Sequence, residues 1–127
     1  MNLGDHARIF RETFGQECLD NIATQGFIKK KLWDMQLDLI EEEAGELFDA
    51  AEDVMDSPDD MEKRINLVKE LSDLVFVCYQ FAAAFNIDLD EAMFLSLIHI
   101  SEPTRLLSIG DSVFGVKKKV GGGGGGG

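Results

Sequence analysis

Cysteine is scarce in this chain. Cys18 and Cys78 are the only two among 127 residues, too few and too far apart to staple a small secreted fold, which needs several bridges. Cys78 lies in an apolar stretch and reads as core. Proline is equally rare, at Pro58 and Pro103, so little interrupts the long segments of helical periodicity. No apolar run approaches the roughly 18 residues of a membrane span, and Asp5, His6, Arg8 and Arg11 break up the opening residues where a signal peptide would need an apolar core. The expectation is a cytoplasmic protein with no membrane partner. Positive charge is also lacking, with 12 Lys and Arg against 24 Asp and Glu for a net charge of −12. A basic groove for nucleic acid is therefore excluded.

What remains is an apolar content of 45%, enough for one core, and few β-branched runs, which together predict an all-α domain. A first helix is expected near Asp5 to Phe14, with Leu3, Ala7, Phe10 and Phe14 on one side and Gly15 as its stop. A long second helix is expected from Lys30 to Asp56. Ser57 as N-cap and Pro58 at the first helical position then open a third, running to about Phe85. Asp88 and Glu91 form a capping box for a fourth. From Leu71 onward the third helix is apolar nearly all round, and a second subunit is the simplest cover. The expected architecture is a four-helix bundle forming a homodimer or homotetramer.

The chemistry lies in acids that interrupt apolar stripes. At about 100° per residue, with Trp33 as zero, the second helix gathers Trp33, Leu37, Ile40, Ala44, Leu47, Ala51 and Val54 on one side, with Leu32, Leu39 and Ala50 extending the sector, and Glu43 falls inside that extended sector with Glu46 at its edge. The third helix repeats the pattern, with Glu70 inside a stripe of Leu67, Leu71, Leu74, Cys78 and Phe81 and Asp73 at its border. Two like charges about 4 Å apart repel by roughly 4 kcal/mol at an effective dielectric near 20, a large fraction of a domain's stability. No Lys or Arg interrupts either stripe at that level, so a divalent cation is the expected counter-charge. All-oxygen ligands select a hard ion, Mg²⁺ first and Mn²⁺ second. Glu41, Asp49, Glu52, Asp53 and Asp56 read instead as a solvated face. Glu42 sits beside the site but points away from the stripe.

Glu42-Glu43-Ala44-Gly45-Glu46, followed after 23 residues by Glu70-Leu71-Ser72-Asp73, resembles the E-E-x-x-E and E-x-x-D signature of MazG-like all-α nucleoside triphosphate pyrophosphohydrolases. The likeness covers about residues 5 to 94. It implies Mg²⁺-dependent hydrolysis of a nucleotide between its α and β phosphates, with Glu43, Glu46, Glu70 and Asp73 as metal ligands. Glu42 would orient or deprotonate the attacking water, a solvated role being the alternative. Related folds leave two other substrates open, phosphoribosyl-ATP and the dUTP of dimeric dUTPases. A non-catalytic helical oligomerisation module is the alternative outside enzymology. No base-binding residue is assigned: Trp33, Phe14 and Phe27 read as core, and Lys29 to Lys31 as a solvated helix start.

Past Phe94 the pattern changes. Leu95 to Arg105 resembles, residue for residue, the translation of a transposase-type sequencing-library adapter, and Gly121 to Gly127 a run of guanines. The expectation is a pyrophosphohydrolase domain over 1–94, its fourth helix cut short, and a non-native disordered tail over 95–127. Related enzymes usually continue with a polar segment that helps hold the triphosphate, and on this reading that segment is missing.

Overall fold

The computed structural model describes residues 2–25, 29–99 and 113, those of 23, 24 and 99 in backbone only. It is all-α, with α1 (Leu3–Thr13), a single turn α2 (Ile22–Gln25), α3 (Lys30–Asp56), α4 (Met61–Ala84) and α5 (Leu89–His99). No described residue is in a strand. None of the helices among the described residues is long and apolar enough to cross a membrane. These residues fall into two units, one drawn from Met1–Lys30 and Ala82–Gly127, the other Lys31–Phe81.

In the first unit, polar side chains tie backbone ends. Asn2 caps α1 by accepting from the Asp5 amide at 2.8 Å, so the helix starts before the expected Asp5. Gly15, with φ +65°, ends it, and the Gln16 amide reaches back to the Arg11 carbonyl at 2.8 Å, a Schellman closure. The buried side of α1 differs from the expected Leu3, Ala7, Phe10 and Phe14. Ala7 and Arg11 are each 3% exposed, whereas Phe14 is 64% exposed, its ring tilted against that of Phe10 with centroids 4.7 Å apart. Arg11 is buried because its Nε and Nη2 both donate to the Glu17 carbonyl, at 3.1 and 2.7 Å, which satisfies the guanidinium and fixes the chain leaving the helix. α4 ends in a second Schellman closure around Asn86, at φ 57°, with the Ile87 amide on the Ala82 carbonyl at 2.8 Å. The Asn86 side chain then accepts from Arg8 and donates to the Asp20 carbonyl, each at 2.9 Å. Gly4 donates to Asp90 at 2.7 Å, an approach so close that a Cβ there would sit 2.5 Å from the carboxylate. Ala7, Leu19, Ala82 to Ala84 and Phe85 supply the apolar burial.

α5 opens on half of the expected capping box. The Glu91 amide donates to Asp88 Oδ1 at 3.0 Å, but the Asp88 amide goes to the Val113 carbonyl rather than to Glu91. The helix runs on to His99, five residues beyond Phe94. Except for Val113, the rest of the tail lies outside the described residues, as do Gly26 and Phe27.

The second unit is a pair of helices joined by Ser57 to Asp60. α3 matches its expected bounds. α4 begins at Met61 and not at Pro58, because Asp60 and not Ser57 is the cap, its Oδ1 accepting from the amides of Glu62 and Lys63 at 3.0 and 3.3 Å. Trp33 meets Phe81 edge-on at 5.7 Å, which sets an antiparallel register in which residue numbers on the two helices sum to 114. The buried side of α3 is the edge of the expected sector that holds Leu32 and Ala50, and not its Trp33 centre. Leu32, Gln36 and Ala50 are the buried residues, all on the side of the helix that carries Glu43, while Leu37, Phe48 and Met55 are 50–70% exposed.

Candidate metal centre

The register fixed at Trp33 and Phe81 puts Glu43 opposite residue 71, one position from Glu70, and the acids do meet there. One carboxylate oxygen from each of Glu43, Glu46 and Glu70 lies within 4.8 Å of the others. Glu43 and Glu46 share a face because they are one turn apart on α3, and Glu70 faces them from α4. Glu70 is well covered, its side chain 12% exposed. Glu46 is on the exposed rim.

Two of the carboxylate oxygens in this group are buried with no hydrogen-bond partner, Oε1 of Glu43 and Oε1 of Glu70. A buried acceptor left unmade costs about 1–3 kcal/mol, more when charged, and native folds leave few such groups. The residues fit a hard divalent cation on both counts, unpaired oxygens and a donor set of carboxylates without nitrogen or sulfur.

Asp73 is not brought into this group. It turns to Lys69, whose Nζ donates to Asp73 Oδ2 at 2.9 Å and stands 3.6 Å from Glu70 Oε2. The two carboxylates hold the Lys69 ammonium above its ordinary pKa, the Asp73 hydrogen bond first and the charges of Asp73 and Glu70 after it. The stripes themselves hold no basic residue, but Lys69, outside its stripe, reaches the acids because its stem is long. The i,i+4 spacing from Lys69 to Asp73 is the signal that would have found it. Glu42 is exposed.

Gln36 went unnoticed in the sequence. It is 2% exposed, its Oε1 has no partner, and it lies two turns before Glu43 on the same face of α3. A search for every polar interruption of the stripe, and not only for acids, finds it. Among the other residues considered for substrate, Lys29 pairs with Glu17 and Trp33 with Phe81.

A helical pair with such acids is what the all-α nucleotide pyrophosphohydrolases would require, and the chain falls in that class. The family model of phosphoribosyl-ATP pyrophosphohydrolase matches residues 7–94, both halves of the acidic signature included. The chain belongs to this family of nucleotide pyrophosphohydrolases. No curated protein and no solved structure matches it. The likeness to MazG-like enzymes holds at the level of the wider class.

Proposed function

We propose that the protein hydrolyses a nucleoside triphosphate or a related nucleotide at the α-β phosphate bond, releasing a monophosphate and pyrophosphate. The observation that carries this is the pair of buried, unpartnered carboxylate oxygens on Glu43 and Glu70, set on facing helices within one three-acid group. Glu43, Glu46 and Glu70 would hold Mg²⁺, or Mn²⁺ in its place, and Asp73 would join them once released from Lys69. A bound divalent ion there supplies charge neutralisation at the phosphates and a more acidic water. By holding such an ion, the carboxylates would fix where phosphate oxygens can approach an otherwise acidic surface. Glu42, exposed one residue before Glu43, would orient the attacking water or take its proton, a solvated role being the alternative.

Phosphoribosyl-ATP is a second reading of the substrate, favoured by the family match over residues 7–94. A panel of nucleoside triphosphates, dUTP and phosphoribosyl-ATP, scored for pyrophosphate release with and without Mg²⁺, separates these. Metal-dependent release from at least one is expected. No release from any, together with melting curves that ignore Mg²⁺ and Mn²⁺, would leave the helical oligomerisation module standing instead.

The exposed apolar side chains of this unit support a homodimer or homotetramer. Phe48 and Met55 on α3 and Val68, Leu71 and Val75 on α4 are 42–70% exposed, more than a lone domain usually leaves open on one pair of helices. Light scattering that returns a monomer mass would remove this part. Both cysteines are free, in keeping with a cytoplasmic setting. Residues 95–127 we read as non-native, a reading that the uninterrupted frame in the source DNA would test.

A further inference from the structure

Lys69 precedes Glu70 by one residue and Asp73 by one turn, and its ammonium spans the two. It donates to Asp73 at 2.9 Å and stands 3.6 Å from Glu70 Oε2. Glu70 belongs to the three-acid group, and Asp73 is the acid that the sequence pattern joins to it but the geometry holds apart. One cation therefore bridges the group and its missing fourth member. No other described basic side chain pairs with Glu43, Glu46 or Glu70. Lys69 reaches only the outer oxygen of Glu70, and the inner one, Oε1, stays buried and unpartnered.

An ordinary surface ion pair would be worth little and would have no further consequence. This one touches a carboxylate that still lacks a counter-charge on its inner side. The Lys69 side chain is 64% exposed and that of Asp73 41%, so either can change rotamer without disturbing a packed core. A divalent ion drawn in by the three acids would compete with the ammonium for Asp73 and repel it from Glu70. A freed Lys69 would then be a cation at the rim of a strongly acidic surface, where an arriving phosphate needs one.

We propose that Lys69 is an exchangeable counter-ion. Without metal it holds Asp73 and the outer edge of Glu70; with metal it yields Asp73 to the ion and turns its ammonium to a phosphate oxygen of the nucleotide or of product pyrophosphate. The inference rests on the metal reading above and predicts two effects of opposite sign. In Lys69→Met, Mn²⁺ binds about two- to fivefold more tightly, because a weakly competing surface charge is gone. Pyrophosphate binds the Mg²⁺-loaded protein about tenfold more weakly, because a charge-assisted hydrogen bond is lost. Lys69→Arg, which keeps the charge, brings both values back toward the parent.

The experiment is calorimetric titration of the full chain and both variants, with Mn²⁺ alone and then with inorganic pyrophosphate on Mg²⁺-loaded protein. Opposite shifts in Lys69→Met with rescue in Lys69→Arg are the expected result. A parent that binds Mn²⁺ while Lys69→Met matches it in both titrations reduces Lys69 to a surface ion pair and overturns the exchange alone. Shifts in the same direction also overturn it. A parent that binds no Mn²⁺ at all sinks the metal reading and the exchange with it.

Discussion

Arg11 and Glu43 are both ionisable groups drawn out of water, one in each unit, and the protein treats them oppositely. Arg11 is 3% exposed and spends two of its donors on the Glu17 carbonyl. Glu43 has a buried oxygen with no partner, and so has Glu70 opposite it. The same contrast separates Asn86, whose amide serves both Arg8 and Asp20, from Gln36, whose carbonyl oxygen is orphaned. Where a buried polar group is satisfied by its own chain, its role is closed and architectural. Where several are left unsatisfied close together, each lacks a partner that its own chain supplies elsewhere.

That distinction breaks most visibly at Glu43. Replacing it by Gln keeps the shape, removes one of three converging charges and should lower metal-dependent pyrophosphate release by about a hundredfold or more. Relieving the repulsion should also raise the melting temperature of the metal-free protein. The Mg²⁺-induced rise in melting temperature should shrink or vanish. A metal-free variant that melts below its parent would contradict the claim that these carboxylates are strained without an ion.

Arg11→Ala is the opposite case. It removes a satisfied buried guanidinium, exposes the Glu17 carbonyl to a partnerless site and should cost about 2 kcal/mol of stability by chemical denaturation. The shift in melting temperature caused by Mg²⁺ should stay as in the parent, because nothing in the three-acid group is touched. Loss of the metal response in this variant would show that the architectural and the unsatisfied groups cannot be separated as argued.

Much of this was readable beforehand, and what was not has identifiable causes. α3 keeps its expected ends because its start and the Asp56-Ser57 break are marked in sequence. The convergence of Glu43, Glu46 and Glu70 follows from i,i+3 spacing on apolar stripes. α4 starts three residues late since Ser57, Asp59 and Asp60 are all competent caps, and local pattern does not choose among them. Periodicity gives the width of the apolar sector of α3 but not which part of it is covered. Leu37 counts as strongly as Leu32 in such a pattern, yet 50% of one is exposed and 6% of the other. Arg11 was missed because burial of a guanidinium depends on a carbonyl six residues away, beyond the helix. Asp73 turns outward because of Lys69, a side chain that stripe arguments leave out.

Gln36 gives the finest test, with the smallest effect. If its orphaned oxygen is kept at a cost, Gln36→Leu, nearly the same in length and wholly apolar, should make the metal-free protein more stable by about 1 kcal/mol. Denaturant midpoints at constant slope measure this directly. If Gln36 instead belongs with Arg11 and Asn86, held by a bond through its amide nitrogen that supports the fold, the same substitution should destabilise by a similar amount. The sign of one small difference thus assigns this side chain to one side of the contrast. A gain in stability accompanied by weaker nucleotide binding would extend the unsatisfied face of α3 two turns beyond Glu43.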